Sequence, residues 1–307
     1  MNGPVDGPDA LAGGPDGLAR GPDDPTGGPD GPAGGADDPA GGAAGSGGGT
    51  RHAAGSPFDP EALLGDLTIT LDIDVLVGGY PSRDDARRGP DEVVAVLRRH
   101  RVTAAAVASL RAALFDVRTG NDEVLPLAAA GLPGVEVVPV GTTDLRDPVG
   151  AVDELERLVE AGIRVVRLFP DEQDVEPDFP SVRHIARAAA GLGMVLLTGG
   201  DVRRFWRPYA GLGATVVFLD THFYHLGDFL VVAADEPGFH TSTRLLNSPD
   251  ALEQVAERVG VDRLLFGSRT PYYETLVPRL RLATSGLDPD QVAAVAGGTA
   301  RRLLGST

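Results

Sequence analysis

Ile163-Arg164-Val165-Val166-Arg167-Leu168-Phe169, an amphipathic run over Ser181–Leu192, and then Met194-Val195-Leu196-Leu197-Thr198 read in order as strand, helix and strand. The two outer runs are short and rich in Val, Leu and Ile on both faces. Strands read that way when helices cover one side and a core fills the other. Ser181 is placed to cap the helix, and Gly193 follows its end as a left-handed C-cap does. A strand, a crossover helix and a second covered strand make one unit of a parallel sheet.

The same unit recurs in both directions. Strands are expected at Thr68–Gly78, Val102–Ser109, Val135–Thr142, Ile163–Phe169, Met194–Thr198, Thr215–Asp220, Gly238–Thr243 and Arg263–Gly267. Helices are expected near Asp91–His100, Asn121–Ala130, Val149–Ala161, Ser181–Leu192, Arg203–Leu212, His225–Asp235, Pro249–Val259 and Glu274–Ser285, with a last helix over Pro289–Leu304. Gly162 and Gly260 sit at helix ends like Gly193, and Ser248-Pro249 reads as an N-cap followed by a first-turn proline. Eight units in about 240 residues indicate an α/β fold, a (β/α)8 TIM barrel. A doubly wound open sheet is the rival. No Gly-x-Gly-x-x-Gly follows an early strand, so its dinucleotide-binding form has no support.

Composition separates a tail from this barrel. Residues 1–56 hold 18 of the 42 glycines and 8 of the 25 prolines, with no aromatic residue. Gly7-Pro8-Asp9 returns at Gly14-Pro15-Asp16, Gly21-Pro22-Asp23 and Gly28-Pro29-Asp30, a period of seven without the apolar pairs of a coiled coil. A disordered low-complexity tail is expected over 1–56, and a barrel domain over 57–307. The tail has no basic start and no apolar run, so it does not read as a signal peptide. With no apolar stretch of membrane-spanning length, a cytoplasmic protein is expected.

Absences narrow the chemistry. The chain has no cysteine, and all 27 basic residues are arginine. That excludes thiolate and Schiff-base nucleophiles, cysteine zinc sites and a carbamylated-lysine metal bridge. Histidine occurs only at 52, 100, 184, 222, 225 and 240. The net charge of −17, with no basic cluster, argues against nucleic acid and anionic membrane as partners.

Three segments carry a resemblance. Ile73-Asp74-Val75-Leu76-Val77-Gly78 ends the first strand. Leu264-Leu265-Phe266-Gly267-Ser268-Arg269-Thr270-Pro271 ends the eighth. Ala300-Arg301-Arg302-Leu303-Leu304-Gly305 closes the chain. Together they resemble landmarks of the amidohydrolase-related family, a branch of the amidohydrolase superfamily that includes metal-dependent decarboxylases and lactone hydrolases. Ala161–Leu168 and Met194–Gly199 resemble its fourth and fifth strands. The likeness spans roughly residues 70–305.

The resemblance implies a TIM barrel with a metal, usually zinc, at its C-terminal mouth. It implies a His-x-His pair on strand 1, possible ligands after strands 5 and 6, and an aspartate after strand 8 that binds the metal and acts as base. This sequence departs from that set. The His-x-His positions fall on Leu76 and Gly78, the strand-5 position on Thr198 and the strand-8 aspartate on Arg269. Strand 6 offers Asp220, Thr221 or His222. Catalytic zinc sites use three protein ligands plus an open position, so a degenerate metal site and no cofactor are expected.

Polar groups still gather at the strand ends: Ser109 and Arg111, Thr142 to Asp144, Asp171, Thr198 and Asp201, Asp220 and His222, Ser242 and Arg244, Ser268 and Arg269. Candidates for proton transfer are His222, Asp220 and Asp74. Candidates for ligand binding are Arg269, Arg244, Ser268, Asp201 and Thr198. Arg269 has two readings: a bidentate fork for a carboxylate or phosphate, or an internal cation paired with Asp74 or Asp220. His222 and His225 are read as a general base or metal pair, or as capping residues. Trp206 and Tyr209 are read as packing. The leading expectation for function is a catalytically degenerate barrel acting as a partner or ligand-binding subunit. It would stand in a homo- or hetero-oligomer, alongside an intact metal-bearing relative, with a small anion as possible ligand. The alternative is a metal-independent hydrolase or decarboxylase for a small carboxylate, with Arg269 holding the substrate and His222 moving a proton.

Overall fold

In a computed structural model of the protein, the described residues are 59–81 and 89–305. The Gly-Pro-Asp tail at 1–56 lies outside them. The strands are β1 (Asp72–Val77), β2 (Ala104–Ser109), β3 (Glu136–Pro139), β4 (Gly141–Thr142), β5 (Val165–Leu168), β6 (Val195–Thr198), β7 (Val216–Phe218), β8 (Phe239–Ser242) and β9 (Leu264–Leu265). Every pairing between them is parallel, in the orders β1-β2-β3 and β4 through β9.

β3 and β4 are two pieces of one stave. Val140 lies between them and donates its N–H to Val107 O at 3.0 Å, so the ladder to β2 continues across the break. The last stave closes on the first. Val75 bridges Thr270 in parallel, Ile73 N–H donates to Phe266 O at 3.0 Å, and Leu76 N–H donates to Thr270 O at 2.9 Å. Eight staves joined edge to edge make the expected TIM barrel.

Alternation along the staves builds two apolar layers. Ala104, Ala106 and Ala108 of β2, Val165 and Phe169 of the fifth strand run, and Leu197 of β6 belong to an inner cluster with Leu71, Ile73 and Leu76. Ala105, Val107, Val166 and Leu196 belong to the outer cluster, against Leu155, Ile185 and Ala189 of the helices. Arg167 shares the inward parity of Val165 and Phe169. Its guanidinium is therefore committed to the lumen, since one step along a strand would turn it outward.

The helices sit near their expected places, with corrections at the ends. Gly162, Gly193 and Gly260 have φ of 87°, 69° and 107°, the left-handed backbone a helix end needs. Ser181 is not the cap. The helix starts at Pro180, with Phe179 at the cap position and no side-chain cap, because proline is pre-set for the first turn. Nor does Ser248 cap. That helix is Ala251–Arg258 with Asp250 before it, while Ser248 O accepts from Arg281 Nε at 2.9 Å. Arg203–Leu212 shrinks to one turn, Val202–Phe205. The last helix is interrupted by a π-helical turn, Ala294–Gly298. A Cβ on Gly297 would stand 2.3 Å from Thr70 Oγ1 and 2.4 Å from Leu71 N, so only glycine lets this turn close under β1. No helix of the described residues is long and apolar enough to cross a membrane.

Candidate functional site

At the C-terminal ends of the staves, three arginines and two aspartates meet. Asp74 comes from β1, Arg167 from β5, Asp220 from beyond β7, Arg244 from beyond β8 and Arg269 from beyond β9. Asp74, Arg167, Arg244 and Arg269 are all buried. Arg167 Nη1 donates to Asp74 Oδ1, and Arg244 Nη2 donates to Asp220 Oδ1. Arg269 Nη2 donates to Asp220 Oδ2 at 3.1 Å. The other carboxylate oxygen of Asp74 lies 3.5 Å from Arg269 Nε and 3.7 Å from Arg244 Nε. Gly200 N–H adds a 2.9 Å bond to Asp220 Oδ2. A Cβ on the neighbouring Gly199 would come within 3.1 Å of that oxygen.

The electrostatics follow from burial set against pairing. Burial pushes the Asp74 carboxyl up, but the guanidiniums of Arg167, Arg269 and Arg244 outweigh it and hold Asp74 below the usual carboxylate range. Arg244 is pulled down to about 10, by burial first and then by repulsion from Arg269. Burial acts the same way on Arg269, yet Asp74 and Glu172 more than offset it. Aromatic rings line the cluster. Arg167 stacks on Phe169 at 4.5 Å, Arg244 lies over Tyr273 at 4.6 Å, and Tyr80 meets Tyr272 edge-on at 4.9 Å. Arg269 holds a φ of 57°, uncommon for a side chain with a Cβ. The hydrogen bond from Leu76 N–H to Thr270 O pins the adjoining residue to β1.

Beside this cluster, Asp72 accepts from Asp74 N–H at 3.0 Å, Ser268 N–H at 3.1 Å and Ser268 Oγ at 2.5 Å. Ser268, Thr270 and Thr275 form a hydroxyl chain behind it, with steps of 2.7 and 2.5 Å. Burial lifts the Asp72 carboxyl to about 7 despite those donors.

The structure thus brings together Asp74, Asp220, Arg244 and Arg269. It engages the other nominated residues elsewhere. Ser268 serves Asp72. Thr198 Oγ1 is hydrogen-bonded to the Tyr209 hydroxyl at 2.8 Å. Asp201 caps the turn Val202–Phe205 and pairs with Arg203. His222 caps the short turn Phe223–His225, its Nδ1 accepting from Tyr224 N–H at 3.3 Å. Its ring centroid is 6.0 Å from that of His225. Arg111 pairs with Glu123, and Asp144 with Arg146. Arg167 and Asp72 were not nominated from sequence. One signal for Arg167 was legible: a lone arginine between Val166 and Leu168 must find an anion once buried.

A divalent metal does not fit these residues. Leu76 packs in the inner cluster. Gly78 takes a φ of 103° and its carbonyl accepts from the Tyr272 hydroxyl. Thr198 is engaged with Tyr209, and Arg269 brings a fixed cation to the strand-8 position. Among the described residues, no three His, Asp or Glu side chains stand so that they could hold an ion.

No family model matches the chain, and no curated protein matches it. Solved structures do. 5-Carboxyvanillate decarboxylase from Sphingomonas paucimobilis is 17% identical with a TM-score of 0.58, over 78% of this chain and 100% of that one. A putative amidohydrolase from Staphylococcus aureus is 14% identical with a TM-score of 0.60, over 77% and 99%. A dihydroxybenzoic acid decarboxylase from Polaromonas, solved with bound manganese, is 13% identical with a TM-score of 0.62, over 78% and 97%. At these identities the likeness is one of fold: this chain has the same kind of barrel as those two decarboxylases and that putative amidohydrolase.

Proposed function

We propose that this barrel works without a divalent metal, as a ligand-binding or partner subunit rather than as a metal-dependent hydrolase or decarboxylase. One observation carries the reading. The Arg269 guanidinium sits at the head of the eighth stave, 3.1 Å from Asp220 and 3.5 Å from Asp74. A carboxylate at that point would draw a metal, whereas a guanidinium repels it and takes up the neighbouring carboxylates as its own partners. The candidate bases are engaged as well: Asp74 and Asp220 by arginines, His222 by its backbone cap. The small anion that such a site admits is the ligand class we assign. The partner we assign is an intact metal-bearing relative, in a hetero-oligomer.

Elemental analysis of the native protein tests the metal half of the reading. Zinc, manganese and iron are expected far below one atom per chain, and added Zn2+ is expected to leave the melting temperature unchanged. Near-unit metal that survives dialysis would overturn it. Affinity capture from native cells tests the partner half: a related amidohydrolase should co-elute in fixed ratio. A stand-alone chain that hydrolyses or decarboxylates small acids would refute the subunit reading.

A further inference from the structure

Arg167 is 1% exposed and lies in the lumen. Its Nη1 is committed to Asp74. Its Nε and Nη2, among the described residues, have no hydrogen-bond partner. Those two nitrogens form one edge of the guanidinium, with two N–H bonds pointing the same way. The Phe169 ring centroid lies 4.5 Å from the guanidinium carbon, and the in-plane edge is buried without an acceptor. A buried donor pair without an acceptor is costly, and the edge has the shape that grips two oxygens of one planar anion.

The surroundings point the same way. Eight buried polar side-chain atoms of the described residues lack a hydrogen-bond partner. Asp74 Oδ2 and the Nε atoms of Arg269 and Arg244 are ion-paired at 3.5 and 3.7 Å, which leaves the two Arg167 nitrogens, Thr143 Oγ1 and Thr221 Oγ1 at this end of the barrel, and Arg279 Nε elsewhere. Three guanidiniums contact two carboxylates here, and a third carboxylate, Glu172, acts on Arg269 from beside the Tyr80 hydroxyl, from which it accepts at 3.4 Å.

We propose that the free edge of Arg167 is a receptor for a small, planar, singly charged oxyanion such as formate, acetate or bicarbonate. This deepens the metal-free reading of the mouth and rests on it. The paired N–H groups set the two-oxygen face, and a single charge is the least repelled by the carboxylates already there. Size is limited by Phe169, on the face of Arg167, and by Leu197, its register partner on β6. Inorganic phosphate also offers two oxygens to a fork but is tetrahedral and bulkier, so it is expected to bind more weakly, and chloride, with no oxygen pair, is expected not to compete.

The test is a titration of the full chain with sodium formate, acetate, bicarbonate, phosphate and chloride at matched ionic strength, read by thermal shift and by saturation transfer to the formate proton. At least one planar anion should raise the melting temperature saturably, with chloride inert. Arg167→Lys keeps the charge on Asp74 but loses the fork, and should bind that anion at least tenfold more weakly. If Arg167→Lys does not fold, the wild-type formate signal decides, being expected to be displaced by acetate and untouched by chloride. No saturable response to any planar anion, equal displacement by chloride, or an Arg167→Lys affinity within twofold of wild type would overturn the proposal. Metal analysis on the same samples separates the two readings. A metal-free protein that binds no anion refutes the receptor alone, while stoichiometric metal whose removal by chelator abolishes binding refutes the metal-free reading.

Discussion

Replacing Arg269 by alanine measures how far the mouth is held together by its own charges. Arg269 is buried at 7% exposure and touches two carboxylates. Removing one partner of a buried ion pair typically costs about 3–5 kcal/mol, because the remaining charge is stranded. Here Asp220 keeps Arg244 and Gly200 N–H, and Asp74 keeps Arg167 and Arg244. The expected loss therefore lies at the low end, about 3 kcal/mol. At about 2–4 °C per kcal/mol for a fold of this size, the melting temperature should fall by about 6–12 °C. The backbone provides an internal control. Arg269 holds a φ of 57°, where a Cβ costs about 1–2 kcal/mol and glycine costs little. Arg269→Gly should therefore be about 1 kcal/mol more stable than Arg269→Ala, although both lack the guanidinium. Urea unfolding of the three proteins reads both differences. An alanine variant within about 0.5 kcal/mol of wild type, the range of an ordinary surface substitution, would refute the paired-cation account. A glycine variant no better than alanine would refute the backbone argument.

Three further outcomes are expected. Asp72 has a folded-state pKa of about 7 against a usual value of 3.8, so its contribution is full below pH 4 and is lost as pH rises to 7, by about 4 kcal/mol in the limit. Wild type minus Asp72→Asn stability, compared by urea midpoint at pH 5 and pH 8, should fall across that interval; a constant difference would show that Asp72 does not titrate there. Gly297→Ala puts a methyl 2.4 Å from the Leu71 backbone nitrogen at a φ of 150°, and should cost several kcal/mol or prevent folding, read by circular dichroism and unfolding midpoint. Deleting residues 1–56 tests the proposed domain boundary: the barrel should melt within about two degrees of the full chain, no more than the smallest shift produced by a loss of about 1 kcal/mol.

The barrel was legible in the sequence because its determinants are local. Covered strands such as Val165–Leu168 and Val195–Thr198 show as short apolar runs, and helix ends show as Gly162, Gly193 and Gly260. The exact helix starts were less legible, since Ser181 and Ser248 compete with adjacent prolines and a one-residue shift leaves the periodicity almost unchanged. The mouth could be located too, because a strand's last inward residue is set by alternation. Asp74 was placed by that alternation, whereas Arg269 was singled out by the resemblance, which puts the strand-8 aspartate at its position. What only the tertiary structure decided is who meets whom. Asp74 finds Arg167 across 93 residues of chain, and Asp72 finds Ser268 across 196. No periodicity reports such a contact, because it depends on how the closed barrel turns each stave toward the others. The same closure engages Ser268 with Asp72, draws Asp220 and Arg244 into one cluster with Arg269, and leaves one edge of a buried arginine without an acceptor, whereas Thr198 and Asp201 find partners close by in the chain.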